Sequence, residues 1–216
     1  MNSHFPVKKL VLLAMMAAVS YMIVALVRIP VVLFLSYEPK DVIITIAGFL
    51  MGPMASFLIS LVVSLVEMVT ISSTGPIGGL MNLISTCSFA CTAAFIYKKR
   101  HTLAGAVLGL VVGSVTMVAV MLLWNWLITP LYMGVSREAV TQLLLPAFLP
   151  FNLLKAGLNS AFVLMVYKPL TSALRRTGLL VSKPGKPGSA KIGIYLIAIG
   201  LLISCVLLLL TLQGKL

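Results

Sequence analysis

The chain has 216 residues, of which 61% are hydrophobic and 9% charged, whereas a soluble domain is nearer half apolar and a quarter charged. At ~20 apolar residues per bilayer-spanning helix, that composition excludes a soluble enzyme, a nucleic-acid module and a disordered tail protein, and leaves a polytopic integral membrane protein. The net charge of +12 comes from basic residues set between apolar runs, the pattern of cytoplasmic loops rather than a nucleic-acid footprint.

The first apolar run, residues 10–27, follows Lys8 and Lys9 and is long for a signal peptide, so it reads as helix 1. An ordered loop is expected next, through Arg28-Ile29-Pro30 and Tyr37-Glu38-Pro39-Lys40-Asp41. Residues 42–70 are apolar but broken by Gly52-Pro53. Lys8 and Lys9 share a side of the membrane with Lys98-Lys99-Arg100 under the positive-inside rule, so an even number of spans separates them. Gly52-Pro53 is therefore expected as a tight cytoplasmic turn between a short helix 2 (41–51) and helix 3 (54–71). Helix 4 is expected over 77–97 and helix 5 over 103–128, ending at Trp124-Asn125-Trp126. An external loop at 131–143 and helix 6 over 146–167 follow. With this topology eleven of the sixteen basic residues fall inside and four outside, and Lys155 remains within helix 6. The fold class is all-α: a six-helix membrane domain over 1–177, a cytoplasmic Gly/Pro/Lys linker over 178–191 and one additional transmembrane helix over 192–216. The N-terminus is cytoplasmic and the chain resides in the cell membrane.

No phosphate-cradling GxxxxGK[ST] loop exists: Gly185-Lys186 has Leu180 where the first glycine belongs. Cys87, Cys91 and Cys205 read as small core residues, with no disulfide or metal site. His4 and His101 lie in cytoplasmic segments, so no intramembrane proton relay forms around them. No catalytic constellation assembles, and an enzyme is not expected.

The informative residues are polar ones inside spans: Glu67, Asn82, Asn125, Asn152, Lys155 and Asn159. Asn152, Lys155 and Asn159 fall at i, i+3 and i+7 and share one helix face. A lysine in a span faces a partner or a cavity. Two readings stand: interhelical hydrogen bonding with a Lys155–Glu67 pair, or an outward-facing polar pocket for a small organic solute, which is preferred. Trp124, Trp126 and Tyr132 suit a flat ligand and an interfacial belt about equally. On helix 1, Ala14, Ala18, Tyr21 and Ala25 form a small-residue stripe that serves either internal packing or a partner helix.

Together these features resemble the substrate-binding S component of energy-coupling factor (ECF) vitamin transporters. The resemblance rests on Ala14-x-x-x-Ala18, on the Tyr37–Asp41 loop, on Gly48-Phe49-x-x-Gly52-Pro53, and on Gly75-Pro76-Ile77-Gly78 with Asn82. It is nearest to riboflavin-specific members, whose helix 5 Asn and helix 6 Asn-x-x-Lys match Asn125 and Asn152-Leu153-Leu154-Lys155. It implies a six-helix S-component bundle that binds riboflavin from outside, roofed by the helix 1–2 loop. Asn125, Asn152, Lys155, Asn82, Asn159 and Glu67 are the substrate-binding candidates, and Ala14 and Ala18 the docking face for a transmembrane coupling subunit served by two ATPases. Riboflavin is the transported ligand, and no cofactor is implied. The last helix is extra to that pattern. An uncharged vitamin would take Lys155 as a hydrogen-bond donor, and an anionic one as a counter-charge. An S component for another solute, a stand-alone carrier and an assembly protein are the alternatives.

Overall fold

The computed structural model describes residues 7–71, 75–176 and 192–212. Helix α1 (Val7–Leu26) leads into an antiparallel hairpin of β1 (Ile29–Val32) and β2 (Leu35–Tyr37), with Ile29 opposite Tyr37 and Val32 opposite Leu35. The expected ordered loop is thus a hairpin, because Ile29, Val31 and Val32 are β-branched and favour extended backbone. At its tip Leu33 takes a φ of +52°.

Helices α2 (Lys40–Met51) and α3 (Pro53–Thr70) are separated at Gly52, whose φ of +96° is one that glycine adopts without penalty. Pro53 opens α3, where its missing N–H leaves no bond unmade. The tight turn expected at Gly52-Pro53 is therefore present. With 12 residues against 18, α2 is about 18 Å long and α3 about 27 Å. Starting from a common turn, α2 stops short of the far end of α3, and the hairpin fills the space above it.

Helix α4 (Gly75–Thr86), a π-helical turn (Cys87–Cys91) and α5 (Thr92–Arg100) follow one another without a break. Helix α6 (Leu103–Met133) then runs past the expected end at 128. The segment expected as an external loop, 131–143, is instead the last turn of α6 and a short helix α7 (Arg137–Leu143). Ser136 caps α7 by accepting a hydrogen bond from the Ala139 N–H at 3.3 Å, which gives this polar stretch a helix start. After a π-helical turn (Leu144–Phe148) come α8 (Leu149–Arg176) and α9 (Ile192–Leu212). The expected linker at 178–191 lies outside the described residues.

Among the described residues, five helical stretches are long and apolar enough to cross a membrane. Their outward side chains, such as Leu10, Met22, Val62, Val115 and Leu123, are exposed, as a lipid-facing surface requires. A Cβ on Gly52 would lie 3.9 Å from the Lys98 side chain, so the Gly52-Pro53 turn and Lys98-Lys99-Arg100 occupy one end of the bundle and the hairpin the other.

Two apolar clusters hold the helices. One joins α1, α2, α3, α5 and α6 through residues such as Ile44, Ile46, Ile59, Phe89 and Met117. The other lies beneath the hairpin, where Val31, Leu35 and Tyr37 meet Phe148, Phe151, Leu154 and, from α9, Cys205. Glycine permits the closest approaches: a Cβ on Gly113 would sit 2.7 Å from the Phe89 carbonyl oxygen, and that backbone cannot yield as a side-chain tip can. Gly113→Leu is expected to destabilise the protein by about 1–3 kcal/mol, the range for overpacked cores, read as a lowered Tm in detergent. On α8, Gly157 makes the seat for α9, since a Cβ there would fall 2.5 Å from Cys205 Sγ.

Candidate ligand-binding site

Three of the four acidic residues of the chain converge where α2 begins under the hairpin. Lys40 is only 1% exposed and lies between two carboxylates: its Nζ is 2.9 Å from Glu38 Oε2 and bonded to Glu67 Oε2. A cation is the unfavourable sign at a helix N-terminus, so this pair of carboxylates is what holds Lys40 there. Arg28 Nε reaches Glu38 Oε1 at 3.1 Å. Asn82 Nδ2 donates to Glu38 Oε2 at 3.4 Å and to Glu67 Oε2 at 3.3 Å. Glu67 Oε1 is buried with no hydrogen-bond partner among the described residues.

Asp41, the next residue, is fully buried and suits the positive end of α2. Thr86 Oγ1 donates to its Oδ1 at 2.7 Å, and Asn159 Nδ2 to its Oδ2 at 3.1 Å. Lys155 Nζ lies 3.3 Å from the same Oδ2 and also donates to Ser85 Oγ at 3.3 Å. The hairpin is tied to this group, because Tyr37 OH donates to Asn159 Oδ1 at 3.1 Å. Burial pushes the Tyr37 phenol well above its ordinary pKa, and the nearby Asp41 carboxylate adds to the shift, so the tyrosine remains a protonated donor.

These groups form one side of a cavity. Its polar lining comes from Arg28, Ser36, Glu38, Asn82, Ser85, Asn152 and Lys155, and its apolar lining from Phe34, Leu35, Met81, Met121 and Phe151. An adjoining slot shares Phe34 and Met81 and is otherwise walled by Ile77, Gly78, Trp124, Ile128, Thr129 and Tyr132. Phe34 closes the slot by packing edge-on against Tyr132, with ring centroids 5.4 Å apart. The free space left in the cavity is about 20 Å³, room for a single water molecule. A polar wall facing an apolar and aromatic one suits a flat, amphipathic organic molecule with donors and acceptors along one edge.

The model of the family described as the ECF transporter, substrate-specific component, matches residues 8–167. The chain belongs to this family. Its relatives include the riboflavin transporter RibU of Staphylococcus aureus (strain TCH60), 25% identical over 178 residues and spanning 78% of this chain and 93% of that one. The riboflavin transporter FmnP of Bacillus subtilis (strain 168) is 27% identical over 161 residues, which cover 69% of this chain and 84% of that one. Among solved structures, the S component of a bacterial ECF transporter superposes with a TM-score of 0.67 at 25% identity, over 78% of this chain and 98% of that one. The protein is an all-α, multi-pass membrane S component, and α9 lies beyond residues 8–167, which the family model matches.

Of the residues of this S component singled out from sequence, Asn82, Asn152 and Lys155 line the cavity. Asn159 stands behind it, bonded to Tyr37 and Asp41, and Glu67 is on the far side of Lys40. Asn125 is fully buried within α6, its Nδ2 donating to the Met121 carbonyl at 2.7 Å and its Oδ1 accepting from Thr129 at 2.9 Å. The Lys155–Glu67 pair does not form: Lys155 faces Asp41 and Lys40 faces Glu67. Arg28, Phe34, Glu38, Ser85 and Met121 join the lining. Of these, Arg28 and Glu38 carried a legible signal, being charges in a loop between two apolar runs. Ala14 and Ala18 are exposed on α1, away from this site.

Proposed function

We propose that this S component binds riboflavin in the cavity and releases it across the membrane when docked on an ECF transmembrane coupling subunit driven by two ATPase subunits. The observation that carries this reading is the two-sided cavity. Asn82, Asn152, Lys155, Ser85 and Glu38 offer donors and acceptors on one wall, while Phe34, Met81 and the Trp124–Tyr132 slot offer flat apolar surface on the other. An isoalloxazine ring has the matching asymmetry, with its polar edge at one end and its dimethylbenzene ring at the other, and the ribityl hydroxyls supply further polar partners. That three relatives are named riboflavin transporters supports the same choice. Since the free space holds about one water molecule, the cavity must widen to admit the ligand, and the hairpin, held by the Tyr37–Asn159 hydrogen bond and the Phe34–Tyr132 contact, is the element we propose to move.

The orientation follows from charge. Lys98-Lys99-Arg100 lie at the end opposite the hairpin, and Lys8 and Lys9 open α1 before it climbs toward the hairpin. Under the positive-inside rule this puts the N-terminus in the cytoplasm and the hairpin outside. We further propose residues 1–177 as the substrate-binding domain and the segment containing α9 as an added membrane helix; the linker expected at 178–191 lies outside the described residues.

The test is titration of the detergent-purified chain with riboflavin, followed by quenching of Trp124 and Trp126 fluorescence. Saturable quenching at one equivalent is the expected result, and a protein indifferent to riboflavin overturns the reading. In the same assay Asn152→Ala or Lys155→Ala is expected to weaken binding by about 1–3 kcal/mol, the cost of leaving a buried polar partner unpaired, or roughly five- to 150-fold in Kd. Unchanged affinity in both variants removes α8 from the binding wall.

A further inference from the structure

Resting on the riboflavin reading, we infer that Asp41 is a specificity-determining residue: by neutralising Lys155 it makes the site select an uncharged flavin over its 5′-phosphate. Two cations line the cavity, Arg28 and Lys155, and each is already engaged by a carboxylate, Arg28 by Glu38 and Lys155 by Asp41. With Lys40 between Glu38 and Glu67, the group holds three cations and three carboxylates, a sum of zero. An anion entering the cavity finds no uncommitted positive charge there, and it loses its hydration in a poorly polarisable surrounding.

Asp41 is the member of this group that acts without touching the ligand space. It does not line the cavity, and its carboxylate is held from three directions, by Thr86 on α4 and by Asn159 and Lys155 on α8. That grip fixes the carboxylate on the rear of the Lys155 ammonium, whose side chain faces the cavity. Asn159 extends the control to the hairpin, since its amide oxygen is the acceptor for Tyr37. The arrangement orients Lys155 as a hydrogen-bond donor while cancelling its value as a counter-charge.

The consequence is a change in ligand ratio rather than in affinity alone. Asp41→Asn keeps the size of the side chain and most of its hydrogen bonds, and raises the charge of the group by one. At separations of several ångströms within a protein, one added charge shifts the preference for a dianion by about tenfold or more. Lys155→Gln lowers the charge by one and should shift the preference the other way. A purely structural role for Asp41 would weaken both ligands alike and leave the ratio where it was.

The experiment is parallel titration of the wild type, Asp41→Asn and Lys155→Gln with riboflavin and with riboflavin 5′-phosphate, reading the ratio of the two Kd values by tryptophan quenching in detergent. The expected result is a ratio moved toward the phosphate by about tenfold or more in Asp41→Asn, and away from it in Lys155→Gln. A ratio unchanged in Asp41→Asn overturns the inference; should that variant fail to fold, an unchanged ratio in Lys155→Gln does so. A wild type that binds riboflavin with no such shift in the variants defeats only this inference, whereas a wild type that binds neither flavin defeats the proposed function with it.

Discussion

Lys40→Met is expected to lower stability by about 3–5 kcal/mol, the loss seen when one partner of a buried ion pair is removed, and to leave little folded protein in detergent. Lys40 is 1% exposed and holds Glu38 and Glu67 together. Without the ammonium, Glu67 keeps only Asn82 as a partner among the described residues, and two buried carboxylates face each other with little water to screen them. Charge alone causes most of this loss, because methionine preserves the length and much of the volume of the lysine stem. The double variant Lys40→Met/Glu67→Gln restores a neutral group and is expected to recover a large part of the stability. Thermal unfolding of the wild type, the single and the double variants in one detergent checks this. A Tm for Lys40→Met within a degree or two of the wild type would show that the Lys40 ion pairs contribute little to stability.

The second large effect is expected on transport rather than on folding. Ala14 and Ala18 are both exposed on α1, and Ala14 lines a shallow apolar groove with Leu10, Leu13, Ala17, Leu58 and Val62 from α1 and α3. Small residues on a lipid-exposed helix face let a second helix approach closely, which is how helices associate where no hydrophobic drive distinguishes protein from lipid. The exposure of Ala14 and Ala18 leaves this face open to a second helix, and we propose it as the docking face for the coupling subunit. Ala14→Trp and Ala18→Trp are expected to abolish riboflavin uptake by the assembled transporter while leaving the Kd of the isolated chain unchanged. Neither side chain touches the cavity, so the two readouts separate. Full uptake by both variants would move the docking face elsewhere, and loss of binding would show that the bulk has disturbed the fold instead.

The fold was legible where it depends on hydropathy and on backbone chemistry. The apolar runs and the Gly52-Pro53 turn are local properties, and the turn stands where its residues put it, with helices over the apolar runs on either side. In the stretch 131–143 polar residues such as Arg137 and Glu138 predict a loop, whereas a Ser136 cap starts a helix there. The hairpin is legible only as an ordered loop, since two strands of four and three residues leave a periodic signal too short to distinguish from irregular chain.

For the site, the sequence by itself determined that Asn152, Lys155 and Asn159 share one face of a helix, because that follows from 3.6 residues per turn. It also determined that charges inside apolar runs must be paired or face a cavity, because an isolated ion is too costly to bury. Which charges pair was decided only by the tertiary structure. Lys155 meets Asp41 rather than Glu67, and Lys40 meets Glu67 across 27 positions of chain. Asn159 reaches Asp41 across 118 positions and Tyr37 across 122. The physical reason is that a Coulombic partner is chosen by distance in space, and that distance is set by how far the short α2 climbs beside α3 before the hairpin closes over it.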